Sequence, residues 1–173
     1  MLWRSLKYVG EEISTLLTAT TKIAELSEQA EARTSESFDQ FSPAERVHYE
    51  VPQEFSRLCQ KVFTVERIDG LVGRARKVFD RLHYHNIVSR IDDGTVGWPA
   101  EAPFDAILVT AGGPRIPEPL LAQLADPGRL VMPVGGQDVQ DLQVVEKRDG
   151  VMTLQTIEQV RFVDLIGAHG WPN

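Results

Sequence analysis

The spacing of hydrophobic positions changes near residue 40, and the change divides the chain. Over residues 11–33, Ile13, Leu16, Leu17, Thr20, Ile23, Ala24, Ser27 and Ala30 recur at helical intervals, while Glu11 and Glu12 suit a first turn. That pattern predicts an amphipathic helix with a thin apolar stripe. Residues 33–42 (RTSESFDQFS) are polar and read as a linker. From residue 42 onward, short apolar runs alternate with helical ones. Strands are expected over residues 47–51, 62–66, 86–91, 104–110 and 128–134. Helices are expected from Pro52 to about residue 60, over 68–82 and over 117–124. The run FDAILVT (104–110) is almost unbroken in its apolarity, as in a central strand buried on both faces. Residues 142–147 and 151–162 read as an antiparallel pair turning at Asp149-Gly150. Strands alternating with helices and ending in a hairpin predict an α/β fold, its sheet mostly parallel with an antiparallel C-terminal edge.

Composition narrows the function more than the fold. The 173 residues suit one core, and 42% hydrophobic with 25% charged residues is an ordinary globular balance. The net charge of −7 argues against a nucleic-acid surface. Cys59 is the only cysteine, so neither an internal disulfide nor a cysteine metal site is expected. His83 and His85 flank Tyr84 in a turn-like segment without a carboxylate at ligand spacing, so they are expected at the surface rather than on a metal. No apolar run approaches the ~18 residues of a membrane span. The first ten residues lack a secretory pattern, and the default expectation is a cytoplasmic protein with no membrane partner.

Three strand ends carry residues with chemical potential. Glu66 closes the strand at 62–66, and open α/β sheets bind ligands at that carboxyl edge. Its two oxygens could accept from a pair of ribose hydroxyls, or could cap the following helix. Asp92-Asp93-Gly94 follows the next strand; a carboxylate beside a glycine can approach a flat ring, although Asp-Gly is also a common turn. Thr110-Ala111-Gly112-Gly113-Pro114 follows the buried strand, where small residues let a backbone approach a ligand or close a tight loop.

The text VFTVER, GLVGRARKVFDRL, DDGTVGWP, APFDAILVTAGGPRIPEPLLAQL, PGRLVMPVGG and VRFVDLIGAHGW, between residues 61 and 171, resembles the protein-L-isoaspartate O-methyltransferase family. The resemblance implies a Rossmann-like methyltransferase domain over residues 42–173, with residues 1–41 outside the family pattern. It also implies transfer of a methyl group from S-adenosylmethionine to the L-isoaspartyl carboxylate of damaged proteins. Glu66 would then hold the ribose hydroxyls, and Asp93 with Gly94 would face the adenine. Thr110, Ala111, Gly112, Gly113 and Pro114 would border the substrate peptide. A carboxylate nucleophile of pKa ~3.9 is already ionised near neutrality and needs no general base.

Two elements of the family pattern have no counterpart in the sequence. No glycine lies between Gly10 and Gly70. The glycine-rich turn is expected roughly 20 residues before the ribose acid, where this chain runs from residues 46–51 directly into Pro52-Gln53-Glu54. The upstream segment that supplies the family's active-site serine is also absent from residues 1–41, and no catalytic residue is assigned. If residues 47–51 cannot serve as the central strand, the strands beside that place must satisfy their backbone groups elsewhere. Two functions stay open. One is the methyltransferase. The other is a non-catalytic family member that binds proteins or peptides, with the 11–33 helix available for a partner or a homodimer.

Overall fold

The computed structural model describes residues 2–4, 52, 55–57 and 59–173. The helix expected over residues 11–33, the linker after it and the strand expected over 47–51 lie outside the described residues. In chain order the elements are β1 (Leu2–Arg4), β2 (Lys61–Glu66), α1 (Asp69–Arg81), β3 (Ile87–Ile91), β4 (Phe104–Leu108), α2 (Glu118–Ala122), β5 (Leu124–Gly135), β6 (Gln140–Arg148) and β7 (Val151–Val160). A one-turn 3₁₀ helix at Pro99–Glu101 precedes β4. Pro52 and residues 55–57 are helical, as their pattern predicts.

The described strands form one sheet in the order β3-β2-β1-β4-β5-β6-β7. β2 pairs with β3, and β4 with β5, in parallel. β1 runs antiparallel to both β2 and β4, so β2, β3, β4 and β5 all point the same way. β5–β6 and β6–β7 are antiparallel. The α/β fold with an antiparallel C-terminal hairpin is therefore present. At the hairpin, Asp149 (φ 52°) and Gly150 (φ 75°) both take positive φ, as a two-residue turn matched to strand twist requires. The Asp126 carboxylate secures the turn, accepting from Asp149 N–H at 2.9 Å and Gly150 N–H at 2.6 Å.

The central position of the sheet is filled from the start of the sequence. Leu2 pairs with Phe63 on one side and Ile107 on the other, and Trp3 with Val62 and Ala106. Three residues from the start of the sequence thus occupy the place between β2 and β4, in reversed direction. They supply the ladder partners that β2 and β4 would otherwise lack. Residues 2–4 accordingly belong to the sheet, although they precede the predicted boundary at residue 41.

Alternation along β4 fills both faces of the sheet. Ala106 and Leu108 join Phe55, Val62, Val131, Leu142 and Phe162 on one side. Ile107 and Val109 join Phe63, Leu120, Leu124, Leu130, Met132 and Val145 on the other. On α1, Val72, Ala75, Val78 and Phe79 are buried at helical spacing. Leu82, expected on the same apolar face, lies past the helix end and is half-exposed, because the chain turns at His83 with φ 59°. Among the described residues no helix is long and apolar enough to cross a membrane.

Candidate functional site

The carboxyl ends of β2, β3, β4 and β5 share one edge of the sheet, and the expected site residues are found there. Glu66 ends β2. Its Oε1 accepts the N–H of Ile68, the residue just before α1, at 2.9 Å, which ties the carboxylate to the entry of that helix. The Glu66 backbone carbonyl also accepts from Asp92 N–H at 3.1 Å. This bond draws the loop after β3 against the end of β2 and brings two of the three predicted loops together.

Within that loop, Asp92 turns outward, forming an ion pair with Arg90 and accepting from Asp93 N–H through Oδ1 at 2.8 Å. Arg90 also lies over the Trp98 ring, 5.3 Å from its centroid, and Trp98 meets Phe63 edge-on at 5.4 Å. Asp93 turns inward. Its Oδ1 accepts from the Thr95 N–H at 2.8 Å and the Thr95 hydroxyl at 2.7 Å, and its Oδ2 accepts from Ala168 N–H at 2.7 Å. Burial by itself would raise the Asp93 pKa. The hydrogen bonds from Ala168 and Thr95, with His169 nearby, outweigh burial and hold the carboxyl below its ordinary value. Gly94 lies beside the end of β2, where an added Cβ would meet only Val65 O at 3.9 Å. The protein's own packing therefore does not require glycine at this position.

The loop after β4 is built differently. Gly112 N–H donates to Val163 O at 2.7 Å, and Gly112 O accepts from Leu165 N–H at 2.8 Å and from Trp171 Nε1–H at 3.1 Å. Gly113 N–H donates to Pro133 O at 3.1 Å, and Gly113 O accepts from Gly135 N–H at 3.0 Å. A Cβ on Gly112 would lie 2.8 Å from Gln140 Cδ, and one on Gly113 2.6 Å from Met132 Cε. At Gly112 the obstacle is a buried side chain held by its own hydrogen bonds; at Gly113 it is the tip of the Met132 side chain. Thr110 and Ala111 are partly exposed, and Pro114 is exposed at the loop's outer side.

Residues that the sequence did not single out hold these loops. Gln123, buried at the end of α2, accepts from Trp98 N–H at 2.7 Å and donates to Val96 O and Pro119 O, both at 2.8 Å. Gln140 is also buried; it accepts from Phe162 N–H at 2.8 Å and donates to Gly136 O at 2.6 Å. A lone amide in an otherwise apolar stretch (LLAQLA for Gln123) was the available signal, since a buried polar group has to find partners. Among the described residues no cluster of three or more metal-ligating side chains occurs, and His83 and His85 stand with ring centroids 6.1 Å apart.

The family model for protein-L-isoaspartate(D-aspartate) O-methyltransferase (PCMT) matches residues 50–170. This chain belongs to that family. Family relatives include the protein-L-isoaspartate O-methyltransferase of Desulfotalea psychrophila, 54% identical over 116 residues, which are 67% of this chain and 54% of the relative. Protein-L-isoaspartate O-methyltransferase 1 of Syntrophobacter fumaroxidans is 53% identical over the same shares of the two chains. A solved protein-L-isoaspartate O-methyltransferase superposes with a TM-score of 0.64 at 26% identity, over 70% of this chain and 40% of the other. The beta-aspartate methyltransferase (PCMT) of Plasmodium falciparum, solved with S-adenosyl-L-homocysteine, gives a TM-score of 0.54 at 27% identity, over 61% and 52%. The chain spans about half the length of the curated relatives it matches.

Proposed function

We propose that this chain is a protein-L-isoaspartate methyltransferase domain that takes S-adenosylmethionine and directs its methyl group to the side carboxylate of L-isoaspartyl residues in damaged proteins. The observation that carries the reading is the arrangement of three family loops on one sheet edge, with Glu66 at the end of β2 tied through its carbonyl to the Asp92-Asp93-Gly94 loop. The residues fit the nucleoside half of such a cofactor. Glu66 offers carboxylate acceptors to ribose hydroxyls, and at Gly94 a flat ring could lie close to the backbone. Asp93, already accepting three protein donors, retains capacity for about one more. The loop at residues 110–114 would border the peptide. When bound, the sulfonium supplies the electrophile, and the protein's task is to align the two groups and exclude water.

One observation favours a second reading, that of a peptide-binding family member without catalysis. β1 enters the sheet in reverse, so its carboxyl end at Arg4 lies beside Lys61, at the edge opposite Glu66. Among the described residues, therefore, no strand-to-helix turn follows the central strand on the ligand side, and none accounts for the methionine half. Isothermal titration decides between the two. Micromolar binding of S-adenosylhomocysteine is expected for the methyltransferase. Binding no tighter than millimolar, with an isoaspartyl peptide still bound, supports the second reading.

A further inference from the structure

The last segment of the chain is fastened to the rest of the molecule at two places. At the first it grips Gly112, through Val163 O, Leu165 N–H and the Trp171 indole N–H. At the second it hangs from the turn after β3, where Ala168 N–H donates to Asp93 Oδ2 at 2.7 Å and His169 N–H to Thr95 Oγ1 at 3.1 Å. Between these points the backbone closes on itself. Gly167 N–H donates to Trp171 O at 3.1 Å, Gly170 N–H to Gly167 O at 3.1 Å, and Trp171 N–H to Leu165 O at 2.8 Å. The fit allows little slack. A Cβ on Gly167 would collide with the Asp93 carboxylate, and one on Gly170 with Leu165 O.

Thr95 joins the two carriers of this attachment. Its hydroxyl donates to Asp93 and accepts from His169, and the residue is fully buried. A hydroxyl with both directions used, beside a carboxylate with three donors, is a network in which each bond orients the next.

We propose that Asp93 and Thr95 form a latch: acting through the Ala168–Trp171 turn, they set the position of the Gly112 loop, and Asp93 serves this site as a positioning residue. The latch joins the loop after β3 to the loop after β4, so the half assigned to the nucleoside also shapes the half assigned to the peptide. That division into halves rests on the proposed function; the latch itself does not.

Amide and indole hydrogen exchange, followed by NMR on the whole chain, tests it without any ligand. In Asp93→Asn and Thr95→Val, exchange at Ala168, His169 and the Trp171 indole is expected to quicken at least about tenfold, while the β4 amides keep their protection. Thr95→Ser keeps the hydroxyl and is expected to match the parent chain. Unchanged protection at Ala168, His169 and the indole in Asp93→Asn would overturn the latch. So would a Thr95→Ser chain that behaves like Thr95→Val. In titrations, Asp93→Asn should weaken an isoaspartyl peptide more than S-adenosylhomocysteine, and the reverse order would return Asp93 to a direct cofactor contact. If the parent chain binds neither ligand, the proposed function fails while the exchange data still decide the latch.

Discussion

A methyl group added at Gly112 would press within 2.8 Å of the Gln140 side chain, which is buried and held by its own hydrogen bonds. Gly112→Ala is therefore expected to cost about 1–3 kcal/mol of stability, measured by urea denaturation. At Gly94 the nearest atom to an added Cβ is Val65 O at 3.9 Å, so Gly94→Ala should change stability by no more than about 0.5 kcal/mol. If the loop borders adenine, that same variant lowers affinity for S-adenosylhomocysteine; equal affinity in a titration would remove Gly94 from the site. Asp93 carries a pH signature. Its carboxyl is held below the ordinary value, so the stabilisation is fully present above the unfolded pKa of ~3.9 and is lost as pH falls through the lower folded value. The stability gap between the parent chain and Asp93→Asn should accordingly be widest near neutrality and narrow below about pH 4, as read from denaturation at a series of pH values. All these residues could be picked out in the sequence, but their partners could not. Nothing local to Asp93 indicates that Ala168, 75 positions later, will donate to it.

Among the elements, β1 is the one that periodicity did not predict. Three residues are too few to display an alternation, and their strand character comes from the neighbours on either side. Trp3→Pro removes a backbone N–H and the freedom of φ in the middle of this strand, and is expected to cost on the order of 2–3 kcal/mol. Hydrogen exchange should then quicken at Val62, Phe63, Ala106 and Ile107, the residues paired with β1. Unchanged protection there would mean that the β2–β4 gap is satisfied in another way. The elements that were legible share a physical property: each shows its burial along its own length. β4 reads as a continuous apolar run because it is covered on both faces, and α1 reads at helical spacing because one stripe packs on the sheet. The Asp149-Gly150 hairpin was legible for a different reason, because positive φ at two successive positions restricts the residues that can stand there.

On the scale of the whole molecule, the sheet is asymmetric. Its centre is covered on both faces, whereas β7 ends the strand order and is exposed through residue 159, with Val151 at 61% and Leu154 at 60%. A long edge strand with exposed apolar side chains favours association. If copies of the chain associate through this edge, Leu154→Lys should abolish that association in sedimentation velocity and shift stability by less than about 0.5 kcal/mol; an oligomeric state identical to that of the parent chain would remove β7 as a contact. The sequence by itself determined the family, the α/β alternation, the hairpin and the three loops that carry Glu66, Asp93 and the Gly112-Gly113 pair. These are written in short windows, where burial, turn conformation and motif spacing act on neighbouring residues. Only the tertiary structure decided that Leu2–Arg4 completes the sheet in reverse, that Asp93 turns inward to Ala168, and that Gln123 and Gln140 bind the loops together. Each of these is a hydrogen-bonding obligation met by a distant partner. A buried polar group must be satisfied, but the sequence around it does not specify which distant residue will do so.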